Sequence, residues 1–226
     1  IADKFPTWML KERSDFDRIF SEQLQRLKTD RIDFYLMHAL NAGYWEKIEA
    51  TGVLRELEKA RDDGRIGHIG FSFHDNLDVF KKIIDGYGGW EFCQIQYNYI
   101  DVDFQAGTAG LDYAAAKGLG IVVMEPLRGG QLTAVPPQPV QDLWDAGGGG
   151  RRPAERALRF IWNRPEVSVV LSGMSSMAQL EENLKLAENS EGVQLKADET
   201  AVYDEVRKVY QRLQPIPCTG CKYCLP

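Results

Sequence analysis

Short apolar segments alternate with amphipathic segments along this chain, and each pair occupies roughly thirty residues. The apolar segments are rich in Val, Ile and Phe and have the length of strands. They predict strands at residues 32–38, 66–71, 92–96, 120–124 and 167–171, with residues 1–3 as the remnant of a further strand. Continuous apolar strands separated by helices favour a parallel sheet covered on both faces, which is the α/β fold class.

The amphipathic segments carry apolar residues at helical spacing, and several follow a capping residue such as Ser14 or Asp75. They predict helices at residues 14–27, 53–60, 75–84, 111–117, 154–162, 177–187 and 199–213. Gly64 is expected to end the second of these helices, and Leu180, Leu184 and Ala187 lie on the apolar face of the sixth. Residues 128–152 are rich in Pro and Gly and are expected to form a loop.

This period fits a (β/α)8 TIM barrel better than an open doubly wound sheet, although periodicity alone leaves the second architecture open. A barrel needs about eight strand–helix units, and about six are visible, so we expect an incomplete barrel. Residues 1–192 are predicted to form this partial barrel. Residues 193–226 are predicted to form a C-terminal helix and a cysteine-rich tail.

Charge and cysteine usage narrow the class of protein further. The formal net charge is −6, from 27 basic and 33 acidic residues, and no segment concentrates Lys and Arg. Nucleic acid and anionic membranes are therefore not expected partners. The apolar runs are too short to span a bilayer, and the chain opens without the pattern of a signal peptide. Clustered cysteines indicate a reducing compartment, and we expect the cytoplasm.

Cys218, Cys221 and Cys224 stand at two-residue intervals at the C-terminal end of the chain. Thiolates at this spacing are typical of iron–sulfur ligands, and a 4Fe-4S cluster takes four of them. We therefore expect the fourth ligand to lie outside this chain, beyond its last residue. A zinc site is the alternative, but the adjacent sequence offers no histidine. Cys93 lies in an apolar segment and is expected to be an inert buried thiol.

Polar residues end several of the predicted strands, where a parallel barrel collects its active site. His38, Ser72 and Gln94 lie at or near such ends, and Lys4 follows the first strand remnant. Each has a purely structural alternative: His38 as a core histidine, Lys4 as a solvated side chain, Ser72 as a helix cap and Gln94 as a barrel-interior amide. Their joint occurrence at successive strand ends favours a functional site.

These residues belong to longer motifs that resemble the aldo-keto reductase family. The motifs are Asp33-Phe-Tyr-Leu-Met-His38, Gly64-Arg-Ile-Gly-His-Ile-Gly-Phe-Ser72, Gln94-Ile-Gln-Tyr-Asn98, Lys117-Gly-Leu-Gly-Ile-Val-Val-Met-Glu-Pro-Leu127 and Leu171-Ser-Gly-Met-Ser-Ser-Met-Ala-Gln-Leu-Glu-Glu-Asn183. The cysteine tail is similar to that of a bacterial and archaeal branch with a ferredoxin-like 4Fe-4S motif.

The resemblance implies a (β/α)8 barrel that reduces a carbonyl compound with the reduced form of NADP or NAD, that is, NADPH or NADH. Lys4 and His38 match two members of the family's catalytic Asp, Tyr, Lys and His set. The Asp and Tyr would lie upstream of Lys4, so we expect this chain to be a fragment cut at both ends. By itself it is expected to be inactive and poorly soluble, because open sheet edges and an unfilled interior would remain.

The resemblance also implies a set of cofactor contacts. Ser72 and Gln94 match positions that hydrogen-bond the nicotinamide carboxamide, and Met124 matches an aromatic residue that stacks on the ring. Phe73 replaces the usual Asn. The remaining matches are Leu127, Arg128 and Gly130 for the pyrophosphate and Gly173, Glu182 and Asn183 for the adenosine. An ordinary turn is the alternative at 127–130, and the choice between NADP and NAD stays open.

The implied function is reduction of a small aldehyde or ketone, with the cluster exchanging electrons with a redox protein partner. Phe73 and Met124 depart from the family pattern, so a redox-sensing or regulatory barrel with little turnover is the alternative. A cluster-carrying scaffold without catalysis is a third interpretation.

Overall fold

A computed structural model describes residues 1–147, 150–190 and 192–213. Within these residues, six parallel strands form one sheet in the order β1 to β6. The strands are β1 (Ala2–Phe5), β2 (Ile32–Leu40), β3 (Ile66–Phe73), β4 (Phe92–Gln96), β5 (Gly120–Met124) and β6 (Val167–Val170). The predicted α/β class and parallel pairing are confirmed.

Strand order separates the two architectures that periodicity left open. Each strand pairs with its sequence neighbour from β1 to β6, as in a barrel. A doubly wound sheet reverses direction at a switch point and so has a non-sequential order. The six strands agree with the expectation of an incomplete barrel.

Helices occupy the intervals between the strands and follow β6. They are α1 (Asp15–Leu27), α2 (Ala42–Thr51), α3 (Leu54–Asp62), α4 (Leu77–Gly86), α5 (Gly107–Ala116), α6 (Gln138–Ala146), α7 (Pro153–Trp162), α8 (Met177–Ala187) and α9 (Ala197–Leu213). Two short 3₁₀ helices span Thr7–Met9 and Gln131–Thr133. Of the described helices, α2 and α6 were not predicted. None of the helices in the described ranges is long and apolar enough to cross a bilayer.

The prediction of a structureless loop at 128–152 was wrong, because α6 forms within it. Proline is tolerated in the first turn of a helix, and α6 begins with one there. Val140 and Trp144 are four residues apart and both are buried, which gives the helix its apolar face. Prolines precede and begin this helix and glycines follow it, so the spacing of two apolar residues was too short a pattern to predict a helix.

Two predictions about helix ends also need correction. Ser14 makes no side-chain cap on α1; the Asp15 carboxylate instead accepts from the Lys11 and Glu12 N–H groups. Asn76, not Asp75, caps α4. The apolar residues of α8 are not buried, and Leu184 is 56% exposed; periodicity defines an apolar face, but only a neighbouring element can cover it.

The chain forms two compact units. The first comprises residues 1–126 and 164–174 and contains the whole sheet with α1 to α5. The second comprises residues 127–163 and, among those described, 175–213, and contains α6 to α9. In the first unit Phe5 and Tyr35 pack against Phe16 of α1. In the second unit Trp144 packs edge-on against Tyr203. The predicted boundary at residues 192 and 193 stays a prediction.

Candidate active site

The carboxyl ends of β1 to β4 place four predicted site residues on one face of the sheet. Phe5, Tyr35 and Phe71 pack against helices. Because successive side chains of a strand point to opposite faces, Lys4 and His38 lie on the face turned away from those helices, as does Ser72. Gln94 joins them, because it is the register partner of Ser72.

His38 is half-buried near the end of β2, with the Trp8 ring at 5.0 Å from its own. Burial lowers the pKa of His38 below its ordinary value, and the nearby charges of Lys4 and His74 lower it further, while Asp3 opposes them. The imidazole is therefore neutral at neutral pH and retains one N–H donor and one acceptor nitrogen.

Lys4 lies within β1, in register with Leu36 on β2. Its backbone carbonyl accepts from Gln23 Nε2 on α1 at 2.8 Å, and its side chain is half-buried. The structure thus holds Lys4 in a paired strand rather than at a frayed terminus. It also places the ammonium group close enough to act on the pKa of His38. The catalytic assignments of both residues stay predictions.

A β-bulge follows His38. Met37 pairs with Phe71 and Leu40 with Phe73, so His38 and Ala39 together stand opposite Ser72 alone. Ala39 has φ 57°, in the left-handed region, and its N–H donates to Ser72 Oγ at 2.7 Å. The reading of Ser72 as a helix cap was wrong, because Ser72 lies in β3 and its oxygen serves the neighbouring strand.

Gln94 and Met124 are also brought together. Gln94 is only 7% exposed, and its Nε2 donates to Met124 Sδ at 3.0 Å. Sulfur is a weak acceptor, so this contact orients the amide without strongly engaging it. An amide and a thioether therefore lie side by side next to Ser72, where the sequence predicts the nicotinamide contacts.

Asn98 organises the turn after β4, a role that the sequence analysis missed. Its side chain is fully buried and makes four hydrogen bonds. Nδ2 donates to Asp101 Oδ2 at 3.0 Å and to the Glu125 carbonyl at 3.1 Å. Oδ1 accepts from the Ile100 and Asp101 N–H groups at 3.0 and 2.9 Å. This side chain ties together the segments that leave β4 and β5.

His74 is a second imidazole at the same end of the sheet that the sequence analysis did not select. Its backbone N–H donates to the Leu40 carbonyl at 2.9 Å, and its Nδ1 lies 3.3 Å from Gln105 Nε2. Burial lowers the pKa of His74, partly offset by Gln105 and by the charge of Glu125. In the sequence, His74 could have been recognised as a candidate by its position directly after the strand β3.

The residues predicted to bind the remainder of the cofactor divide between the two units. Gly173 belongs to the first unit, and Leu127, Arg128, Gly130, Glu182 and Asn183 to the second. Arg128, Gly129 and Gly130 all have positive φ, an uncommon succession that turns the chain sharply. On α8, Glu182 pairs with Arg152 at 3.0 Å, so this carboxylate already has a cationic partner.

Cys218, Cys221 and Cys224 lie outside the described residues. Among residues 1–147, 150–190 and 192–213, no group of three or more His, Cys, Asp or Glu side chains is placed to bind a metal ion. Cys93 is buried, and burial raises the pKa of its thiol to about 12. It therefore stays protonated, in agreement with the expectation of an inert thiol.

Comparison with known sequences identifies a family. The sequence model of the aldo/keto reductase family matches residues 8–208. An L-galactose dehydrogenase of Arabidopsis thaliana is 29% identical over 77% of this chain. An uncharacterised oxidoreductase of Schizosaccharomyces pombe is 25% identical over 82% of this chain. The chain spans 60% and 55% of the lengths of these two relatives.

Comparison with solved structures supports the fold. An aldo-keto reductase of Bacillus halodurans in its holo form matches with a TM-score of 0.73 at 21% identity. A thermostable aldo-keto reductase in complex with the inhibitor epalrestat matches with a TM-score of 0.71 at 24% identity. Each match covers 91% of this chain and 70% of the other.

Proposed function

The chain belongs to the aldo/keto reductase family, and we propose that the protein reduces the carbonyl group of a small aldehyde or ketone with NADPH or NADH. One observation carries the proposal. His38, with a lowered pKa, and Lys4 occur together at the carboxyl end of neighbouring parallel strands, the end at which barrel enzymes carry their active sites.

The chemistry of these two groups suits a carbonyl oxygen. A neutral imidazole donates a hydrogen bond to the oxygen without presenting a second full charge, and it helps to pass on a proton. The Lys4 ammonium stabilises negative charge as it develops on that oxygen. The nicotinamide cofactor supplies the hydride.

The residues next to His38 fit a nicotinamide carboxamide. Ser72 offers a buried hydroxyl and Gln94 a buried amide at paired positions of β3 and β4, so a donor and an acceptor lie together. Met124 offers a polarisable apolar surface for the flat ring. Leu127, Arg128, Gly130, Gly173, Glu182 and Asn183 remain our proposed contacts to the pyrophosphate and adenosine.

The substrate class is proposed from the relatives. One of them is named as a dehydrogenase of L-galactose, so aldoses and the corresponding lactones belong in the first panel of substrates. Trp8, which is 51% exposed beside His38, gives such a substrate an aromatic surface next to the proposed reaction centre.

We further propose an iron–sulfur cluster held by Cys218, Cys221 and Cys224, with a fourth thiolate from outside this chain and a redox protein as its partner. The spacing of the three cysteines in the sequence supports this. Such a cluster suits a reducing compartment such as the cytoplasm. The test is visible absorption after reconstitution with iron and sulfide, which Cys221→Ser is expected to abolish and Cys93→Ser to leave intact.

Steady-state kinetics test the main proposal. The full-length protein is assayed for oxidation of NADPH and NADH with aldoses and simple aldehydes, and cofactor binding is measured separately by fluorescence. The proposal predicts both binding and turnover. Binding without turnover would instead support the regulatory barrel.

A further inference from the structure

We propose that the Ser72 hydroxyl is a positioning group for His38, acting through the β-bulge at Ala39. The effect of Ser72 on catalysis rests on the proposed function, whereas its effect on the position of His38 depends only on the bulge. His38 and Ala39 share Ser72 as their only opposite residue on β3, and the Ala39 N–H donates to Ser72 Oγ at 2.7 Å.

The backbone at Ala39 needs this support. An alanine at φ 57° lies in a region that residues with a Cβ seldom occupy, and such strain persists only where the surrounding structure imposes it. The extra residue of a bulge also interrupts the ladder between strands. Ser72 supplies the missing partner from a side chain that is 1% exposed, so water cannot readily replace it.

The bulge determines where His38 points. Ladder pairing is regular up to Met37 and resumes at Leu40, whose carbonyl accepts from the His74 N–H at 2.9 Å. Between these two fixed points, the bond from the Ala39 N–H to Ser72 Oγ ties the bulged segment to β3. A small rotation there would move the imidazole away from Lys4 and the Trp8 ring, which contribute to its environment.

This role differs from the one that the family resemblance implies for Ser72. A carboxamide contact operates only when cofactor is bound, whereas the bond from Ala39 operates in the free protein. The two are compatible, because the hydroxyl oxygen accepts from Ala39 while its own hydrogen can be donated elsewhere. An experiment on cofactor-free protein therefore isolates the positioning role.

Nuclear magnetic resonance of the histidine side chains provides that experiment. The chain contains 3 histidines, so their ring signals can be assigned by replacing each in turn. Ser72→Ala is expected to shift the signals of His38 in the cofactor-free protein and to lower kcat/KM roughly 10-fold or more. Thr7→Val is the matched control. It removes another buried hydroxyl, one that donates to the Phe5 carbonyl rather than accepting from the Ala39 N–H, and should leave the His38 signals in place.

A conservative variant gives the decisive comparison. Threonine keeps a hydroxyl oxygen that can accept from the Ala39 N–H, so Ser72→Thr should keep the His38 signals and most of the kcat/KM that Ser72→Ala loses. If Ser72→Ala does not fold, Ser72→Cys, whose sulfur is a much weaker acceptor, takes its place in the comparison with Ser72→Thr.

Unmoved His38 signals in Ser72→Ala, or signals displaced as far in Ser72→Thr as in Ser72→Ala, would overturn the inference. Loss of turnover with unmoved His38 signals would assign Ser72 to the cofactor alone. If the wild-type protein reduces no carbonyl compound while the His38 signals follow the predicted pattern, the proposed function fails and the positioning of His38 by Ser72 stands.

Discussion

Replacing Asn98 should cost more stability than replacing other polar side chains near the strand ends. Its side chain is fully buried and makes four hydrogen bonds, three within the turn after β4 and one to the segment after β5. At about 1 kcal/mol of net stabilisation each, Asn98→Ala should lower the free energy of unfolding by about 4 kcal/mol. A loss of this size is a large fraction of the stability of a typical domain.

Asn98→Asp introduces a side chain of nearly the same shape and tests how a charge in the same hydrogen-bond network affects stability. It keeps the acceptor for the Ile100 and Asp101 N–H groups but replaces both donated bonds with a carboxylate that faces Asp101 and the Glu125 carbonyl. Burial and the like charge raise the pKa of the new carboxyl in the folded state above its ordinary value. The penalty is therefore smallest below about pH 4, where the protonated carboxyl can still donate one of the two bonds, and it grows as the pH rises towards the folded-state pKa.

Urea unfolding followed by circular dichroism, at pH 7 and near pH 4, measures both effects. The control is Gln96→Met, which removes a single 3.2 Å bond to Asp101 and should cost about 1 kcal/mol. The reasoning is refuted if Asn98→Ala costs no more than Gln96→Met. A pH-independent penalty for Asn98→Asp would refute the electrostatic part.

Two further predictions concern the sheet. A Cβ at Gly70 would meet the Phe92 ring at 2.6 Å, so Gly70→Ala should lower the free energy of unfolding by about 1–3 kcal/mol. The control is Gly88→Ala, because a Cβ added there meets nothing within 4 Å. Lys4→Gln removes a cation that lowers the pKa of His38, so the pKa of His38 should rise towards 6.5. It should stay below 6.5, because the imidazole remains buried. A titration of the His38 ring signals that shows no rise would contradict this prediction.

Most of the sheet could be predicted from the sequence. The strands are short apolar runs between polar helices, so β4 and β5 have the predicted bounds, and β2 and β3 extend two residues further than predicted. The period favoured a barrel over a doubly wound sheet, and the observed strand order decides between them. Helix α6 was missed because prolines and glycines surround only two well-spaced apolar residues, Val140 and Trp144.

The sequence predicted site residues only where a polar residue type coincides with the carboxyl end of a predicted strand. Lys4, His38, Ser72 and Gln94 met that condition. Nothing in the sequence marks Ala39 as left-handed, because alanine carries no preference for that conformation. Three of the four bonds of Asn98 are local, to Ile100 and Asp101, whereas the fourth reaches the Glu125 carbonyl, 27 residues away, and forms only when β4 and β5 lie side by side.

Transfer of deuterium tests the central claim most directly. The full-length protein is given NADPH or NADH deuterated at C4 of the nicotinamide together with an aldehyde, and the alcohol product is examined by mass spectrometry, for the wild type and for His38→Gln. We expect deuterium on the carbinol carbon of the wild-type product and a large loss of rate in His38→Gln. Absence of labelled alcohol from the wild type, or an unchanged rate in His38→Gln, would contradict the account.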